Sequence, residues 1–177
     1  MPNVSLNNVV QSDIRKLIGT RAFISGAIAA GTDTTKVKTT VAIDYTIDGV
    51  FCHLAITDNF WTLPTTISVI QPGSAAPPLP VSAAFGGAGL GAVTGYCFLG
   101  VNAAGTASAY WAAQPAAADL NLTDDSLVPD VPDNVLIVGY IKVVTAAATV
   151  FTPATTALAT GNTVTYVNCS QIPSTLV

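Results

Sequence analysis

The sequence has no glutamate; all ten of its acidic residues are aspartates. Charged residues of every kind fill only 9% of its 177 positions, against about a quarter in an ordinary globular protein. Glu, Lys and Arg normally dress exposed helices, so their scarcity argues against a helical bundle. Thr and Val are abundant instead, and both favour strands. A surface this poor in charge is more easily explained if much of it faces other subunits.

Histidine is nearly missing as well, with His53 alone, which leaves one ordinary candidate for a general base near neutral pH. The three cysteines, Cys52, Cys97 and Cys169, are an odd number and lack metal-ligand spacing. Each falls inside an expected strand and reads as a small buried hydrophobe. The longest apolar run, Val135 to Val144, is too short to span a bilayer and carries Lys142. Met1-Pro-Asn-Val-Ser5 lacks a basic stretch followed by an apolar core. The expectation is therefore a soluble chain made in the cytosol, with no membrane partner. The net charge of −4 argues against nucleic-acid binding, which needs a basic stripe to displace counterions. Five of the six basic residues precede residue 40, whereas Asp119, Asp124, Asp125, Asp130 and Asp133 sit together later. Complementarity between copies, or with a host surface, follows from that asymmetry.

What is present is a strand pattern. Val37, Val41, Ile43, Tyr45 and Ile47 alternate with polar or small residues, the period-2 signal of a half-buried strand. Asp48-Gly49 supplies the positive-φ positions of a two-residue type I′ turn. Val50, Cys52, Leu54 and Ile56 then alternate on the return. This register opposes Ile47 to Val50, Tyr45 to Cys52, Ile43 to Leu54 and Val41 to Ile56, every pair apolar. The other face pairs Thr46 with Phe51, Asp44 with His53, Ala42 with Ala55 and Thr40 with Thr57.

Elsewhere, Leu6, Val9, Val10, Ile14, Leu17 and Ile18 keep roughly helical spacing up to Gly19, so a short helix or an extended arm fits. Arg21 to Ala29 reads as a strand, as does Thr66 to Ile70. Residues 71–80 form a Pro-rich stretch that no sheet interior could hold. Gly86 to Gly91 continues as a flexible loop; it lacks the downstream Lys-Ser/Thr and the βαβ setting of a phosphate loop. A second hairpin turns at Asn102-Ala-Ala-Gly105, with Gly in a G1 bulge. It pairs Val101 with Ala107, Leu99 with Ala109, Cys97 with Trp111 and Phe98 with Tyr110. Asn134 to Val144 is apolar on both faces, hence a central strand. Thr149 to Thr152 and Thr163 to Cys169 complete about eight or nine short antiparallel strands. The expected fold is an all-β sandwich or jelly roll. An amino-terminal arm and first strand (1–35) would precede a sandwich domain (36–177).

Chemistry is hard to find. Asp44 and His53 are cross-strand neighbours without an assigned nucleophile, which is the pattern of a structural ion pair. Cys52, adjacent to His53, points to the opposite face. Asp124, Asp125, Asp130 and Asp133 match no calcium loop. Trp61 and Trp111 read as core or interface, or as a glycan-stacking platform if exposed. No catalytic residue, metal ligand or cofactor site is assigned.

Three phrases carry a family resemblance: Tyr45-Thr-Ile-Asp-Gly-Val50; Val128-Pro-Asp-Val-Pro-Asp-Asn-Val-Leu-Ile-Val-Gly-Tyr-Ile-Lys-Val143; and Phe151-Thr-Pro-Ala-Thr-Thr-Ala-Leu158. In this order the chain resembles virion structural proteins of tailed bacteriophages, either capsid decoration (cement) proteins or head and tail fibres. The resemblance implies a non-enzymatic β-rich homo-oligomer, often a homotrimer, on the capsid exterior. Its partner would be the major capsid protein. A fibre or adhesin domain binding a host glycan is the alternative.

Overall fold

The computed structural model describes residues 20–23, 27–69, 79–112 and 131–168. In chain order the strands are β1 (Arg21–Ala22), β2 (Ile28–Ala30), β3 (Lys36–Thr39), β4 (Ile43–Ile47) and β5 (Val50–Leu54). There follow β6 (Trp61–Thr62), β7 (Thr66–Val69), β8 (Leu79–Ser82), β9 (Phe85–Gly86) and β10 (Thr94–Asn102). The last four are β11 (Ala107–Trp111), β12 (Val135–Thr145), β13 (Val150–Phe151) and β14 (Asn162–Asn168). Every ladder among them is antiparallel, and the described residues contain no helix. The fold is all-β and sandwich-like. The helical spacing of Leu6 to Ile18 lies outside the described residues.

The largest sheet has the order β11-β10-β12-β14. Its centre is β12, apolar on both faces because both faces are covered. Cys97, Leu99, Val101, Leu136, Val138, Ile141 and Val143 point into the main core. Tyr96, Phe98, Ile137 and Tyr140 form a second cluster on the opposite face. The register slips between Leu99 and Gly100, a bulge that lets both strands keep their faces in phase.

Smaller sheets close over the main core and are tied to the large one by side chains reaching backbone carbonyls. Trp61 Nε1 donates to Gly100 O at 2.8 Å, and Trp111 Nε1 to Pro64 O at 2.8 Å. The Tyr45 hydroxyl donates to Asn102 O at 2.8 Å. Each satisfies the polar end of a large aromatic that would otherwise be buried unpaired. Phe85, Trp111 and Phe151 pack ring against ring beneath the β9–β13 pair.

Both expected hairpins form. Asp48 and Gly49 have φ of 50° and 74°, and Ile43↔Leu54, Asp44↔His53, Tyr45↔Cys52, Thr46↔Phe51 and Ile47↔Val50 are opposed. The second hairpin pairs Cys97 to Val101 with Trp111 to Ala107 as expected, Gly105 sitting at φ 74°.

Several expectations need correction. The strand from Val37 to Ile47 is broken at residues 40–42, where the chain leaves the order β2-β3-β6 for β1-β4-β5. Thr39, not Thr40, meets Thr57: its N–H donates to Thr57 O, and its hydroxyl accepts from Thr57 N at 2.7 Å. The ladder therefore stops at Leu54, and Val41 and Ile56 are exposed, unpaired by the hairpin. Arg21 to Ala29 is likewise two strands in two sheets, β1 against β4 and β2 against β3. Strand breaks of this kind explain why more and shorter strands form than eight or nine. Leu79 and Pro80 belong to β8, where Pro80 opposes Ser68; a two-stranded sheet consists of edges, which tolerate a missing N–H. Gly86 is part of β9 and not of a loop.

Candidate functional site

The outer face of β1-β4-β5 gathers the exposed side chains most capable of recognition. Register places Arg21, Thr46 and Phe51 in one row across the three strands. Phe23 N–H donates to Asp44 O at 2.8 Å, so the next row is Phe23, Asp44 and His53. Residues opposite one another share a face, and this one points away from the core.

Phe23 and Phe51 lean together over the central strand, with ring centroids 5.6 Å apart and planes at 17°. They remain 44% and 72% exposed, while Thr46 between them is fully buried. The Arg21 guanidinium lies 5.2 Å from the Phe23 ring centre. At the other side, His53 Nδ1 and Asp44 Oδ1 are 2.7 Å apart. Val50, Val41 and Ile56 are exposed too, but Val50 shares the face of Cys52 and the other two lie beyond the ladder. The result is a stacked aromatic pair flanked by a cation and a hydrogen-bonded acid–imidazole pair. That surface can stack, donate and accept.

It does not assemble a nucleophile. Cys52 lies on the inward face, its thiol directed to Val50 O at 3.5 Å. Cys97 is fully buried in β10, and burial pushes its thiol pKa well up. Cys169 lies outside the described residues, as do Asp119, Asp124, Asp125 and Asp130. Asp133 is exposed beside the start of β12. Among the described residues no group of three or more His, Cys or Asp side chains could hold a metal. No helix among them is long and apolar enough to cross a membrane.

Trp61 and Trp111 are buried in the core, which removes them as a stacking platform. The exposed aromatic pair is Phe23–Phe51, and one signal for half of it was visible: Phe51 is an aromatic on the polar face of the hairpin alternation.

A second polar cluster is a loop brace. Asp58 Oδ1 accepts from Thr32 N at 3.0 Å and Asn59 Oδ1 from Asp33 N at 2.8 Å. Asp33 Oδ1 accepts from both the N–H and the hydroxyl of Thr35, and Lys36 Nζ lies 3.4 Å from Asp33 Oδ2. The Thr35 bonds hold the Asp33 pKa below its usual value, and those from Thr32 do the same for Asp58. These bonds tie the 32–36 turn to residues 58 and 59.

No family model, curated protein or solved structure matches this chain.

Proposed function

We propose that the chain is a capsid decoration protein of a tailed bacteriophage. It docks as a homotrimer on the outside of the shell built by the major capsid protein. Binding to the folded shell, and not to dissociated subunits, stabilises the assembly by mass action. The observation that carries this reading is the outer face of β1-β4-β5. Phe51 is 72% exposed beside Phe23 and Arg21, on a chain with only 9% charged residues. Aromatics and arginine are the side chains that anchor protein interfaces. The phrases resembling phage virion proteins support the same reading, because two of them fall on the β4–β5 turn and on β12.

The test adds purified protein to phage heads lacking it and follows bound copies and thermal release of the shell. Saturable binding at many regular lattice positions, weakened about tenfold or more by Phe51→Ser, is the expected result. Absence of binding to any head would sink the proposal. A fibre or adhesin domain is the second reading, favoured by the stacked rings lying next to the Asp44–His53 pair, an arrangement suited to a sugar ring and its hydroxyls. Few copies per particle, together with glycan binding, would select it.

A further inference from the structure

We infer that β14 is a self-pairing edge through which two copies of this chain join their large sheets about a two-fold axis. The strand is the last in the order β11-β10-β12-β14. Ala146 N donates to Gly161 O, one step beyond the Thr145↔Asn162 pair. Alternation then directs the backbone groups of Thr163, Thr165 and Val167 toward β12. Those of Asn162, Val164, Tyr166 and Asn168 point outward, and among the described residues no strand pairs with them; β2 reaches only the side chain of Asn168, whose Oδ1 accepts from Ile28 N at 2.9 Å.

Soluble proteins usually guard such an edge with charge, proline or a bulge. The run Asn162-Thr-Val-Thr-Tyr-Val-Asn168 has no charged residue and no proline, and its register with β12 is unbroken. It is also roughly symmetric about Thr165, with Asn at both ends, apolar residues at 164 and 166, and β-branched residues at 163 and 167. Antiparallel pairing centred on Thr165 sets Thr165 against Thr165, Val164 against Tyr166, Thr163 against Val167 and Asn162 against Asn168. The outward-facing residues become the hydrogen-bonded pairs, and this is the two-fold register that overlaps all seven residues of the strand. Val164 and Tyr166 both lie on the core-facing side, so an aliphatic meets an aromatic, a favourable cross-strand pair. Charge is compatible too. Among the described residues, the charged residue paired with this strand is Lys142, opposite Thr165 on β12. Two copies of it would stand about 14 Å apart at ordinary strand spacing, beyond the roughly 8 Å screening length at physiological salt. A second copy of the chain is thus the occupant that fits. The contact does not depend on the decoration reading, and it could link neighbouring trimers or stand alone.

Thr165 is exposed and sits at the centre in a non-hydrogen-bonded pair, where Cα atoms approach to about 4.5 Å, within disulfide range. The experiment uses full-length Thr165→Cys with Cys52 and Cys169 changed to serine, under mild oxidation. A disulfide-linked dimer is expected. Sedimentation of Thr165→Lys, which places two ammonium groups across the axis, should show self-association weakened about tenfold or more. Folded Thr165→Cys protein that forms no linked dimer overturns the inference. Should that variant fail to fold, unchanged association of Thr165→Lys overturns it instead. A trimer that persists in Thr165→Lys and never cross-links overturns the β14 contact and leaves the decoration proposal standing. A cross-linked dimer with no affinity for any head does the reverse.

Discussion

His53 Nδ1 lies 2.7 Å from Asp44 Oδ1, directly across the β4–β5 ladder. The contact exists because Asp48-Gly49 closes a two-residue loop, which fixes which residues face each other. Both side chains are more than half exposed, so solvent screens the interaction. A double-mutant cycle with Asp44→Ala and His53→Ala should give a coupling of about 0.2–1 kcal/mol in thermal or urea unfolding. On the decoration reading, capsid binding and assembly should be nearly unchanged in His53→Ala. Total loss of activity in a folded, assembled His53→Ala protein would reveal an active site at this position.

Phe51 is the next test, because its exposure implies a use outside the subunit. Phe51→Ser removes the stacking on Phe23, worth about 0.5–1.5 kcal/mol, and little else, since 72% of the residue is in solvent. Stability measured by urea denaturation should fall by about that amount. A loss beyond about 3 kcal/mol would show that the ring supports the core.

Much of this architecture could be read locally. The register from Ile43 to Leu54 follows from one turn and one alternation, and β10–β11 follows from Asn102 and Gly105. The break at residues 40–42 could not be read that way, since Val41 preserves the alternation although it points to solvent. What breaks the strand is the bonding of Thr39 to Thr57, a non-local choice of partner. Trp61 and Trp111 were ambiguous for a related reason: only the carbonyls of Gly100 and Pro64 decide that their indoles belong inside. The aromatic platform required β1 to lie beside β4. Periodicity shows which face a residue takes, but not which strand will be its neighbour.

Gly86 offers a sharper stability test. Its φ is 85°, a region that side chains with a Cβ rarely adopt. A Cβ there would also run into the carbonyl oxygen of Thr149, on the chain entering β13. Backbone cannot swing aside as a side-chain tip can. Gly86→Ala should therefore cost about 1–3 kcal/mol from the conformation alone, and more from the clash. Gly105→Ala is the comparison, because φ is 74° but nothing lies within 4 Å of the added Cβ. The difference between the two variants in urea denaturation isolates the collision with Thr149. Equal losses would mean that the β9–β13 pair yields freely.

Tyr45 should make the fold sensitive to alkali. Burial, with a smaller contribution from Cys52 opposite, raises its pKa from 10.0 to about 12. The folded state therefore keeps the phenol proton at pH values where the unfolded chain has lost it. Between those two pKa values the unfolded state binds fewer protons than the native one, so stability falls as pH rises. The contribution is complete below about pH 10 and is lost on passing through about 12. Tyr96 and Tyr166, also raised by burial, add to the same slope. Tyr45→Phe cannot ionise and also loses the hydrogen bond to Asn102 O. That carbonyl still accepts from Gly105 N at 2.9 Å, so the cost at neutral pH should be only about 0.5–1.5 kcal/mol. The variant is then less stable than the native protein at pH 8, but its melting temperature should decline more gently above pH 10. The two curves should cross between pH 10 and 12. Parallel curves across that range would show that the Tyr45 phenol ionises in the folded protein as it does in water.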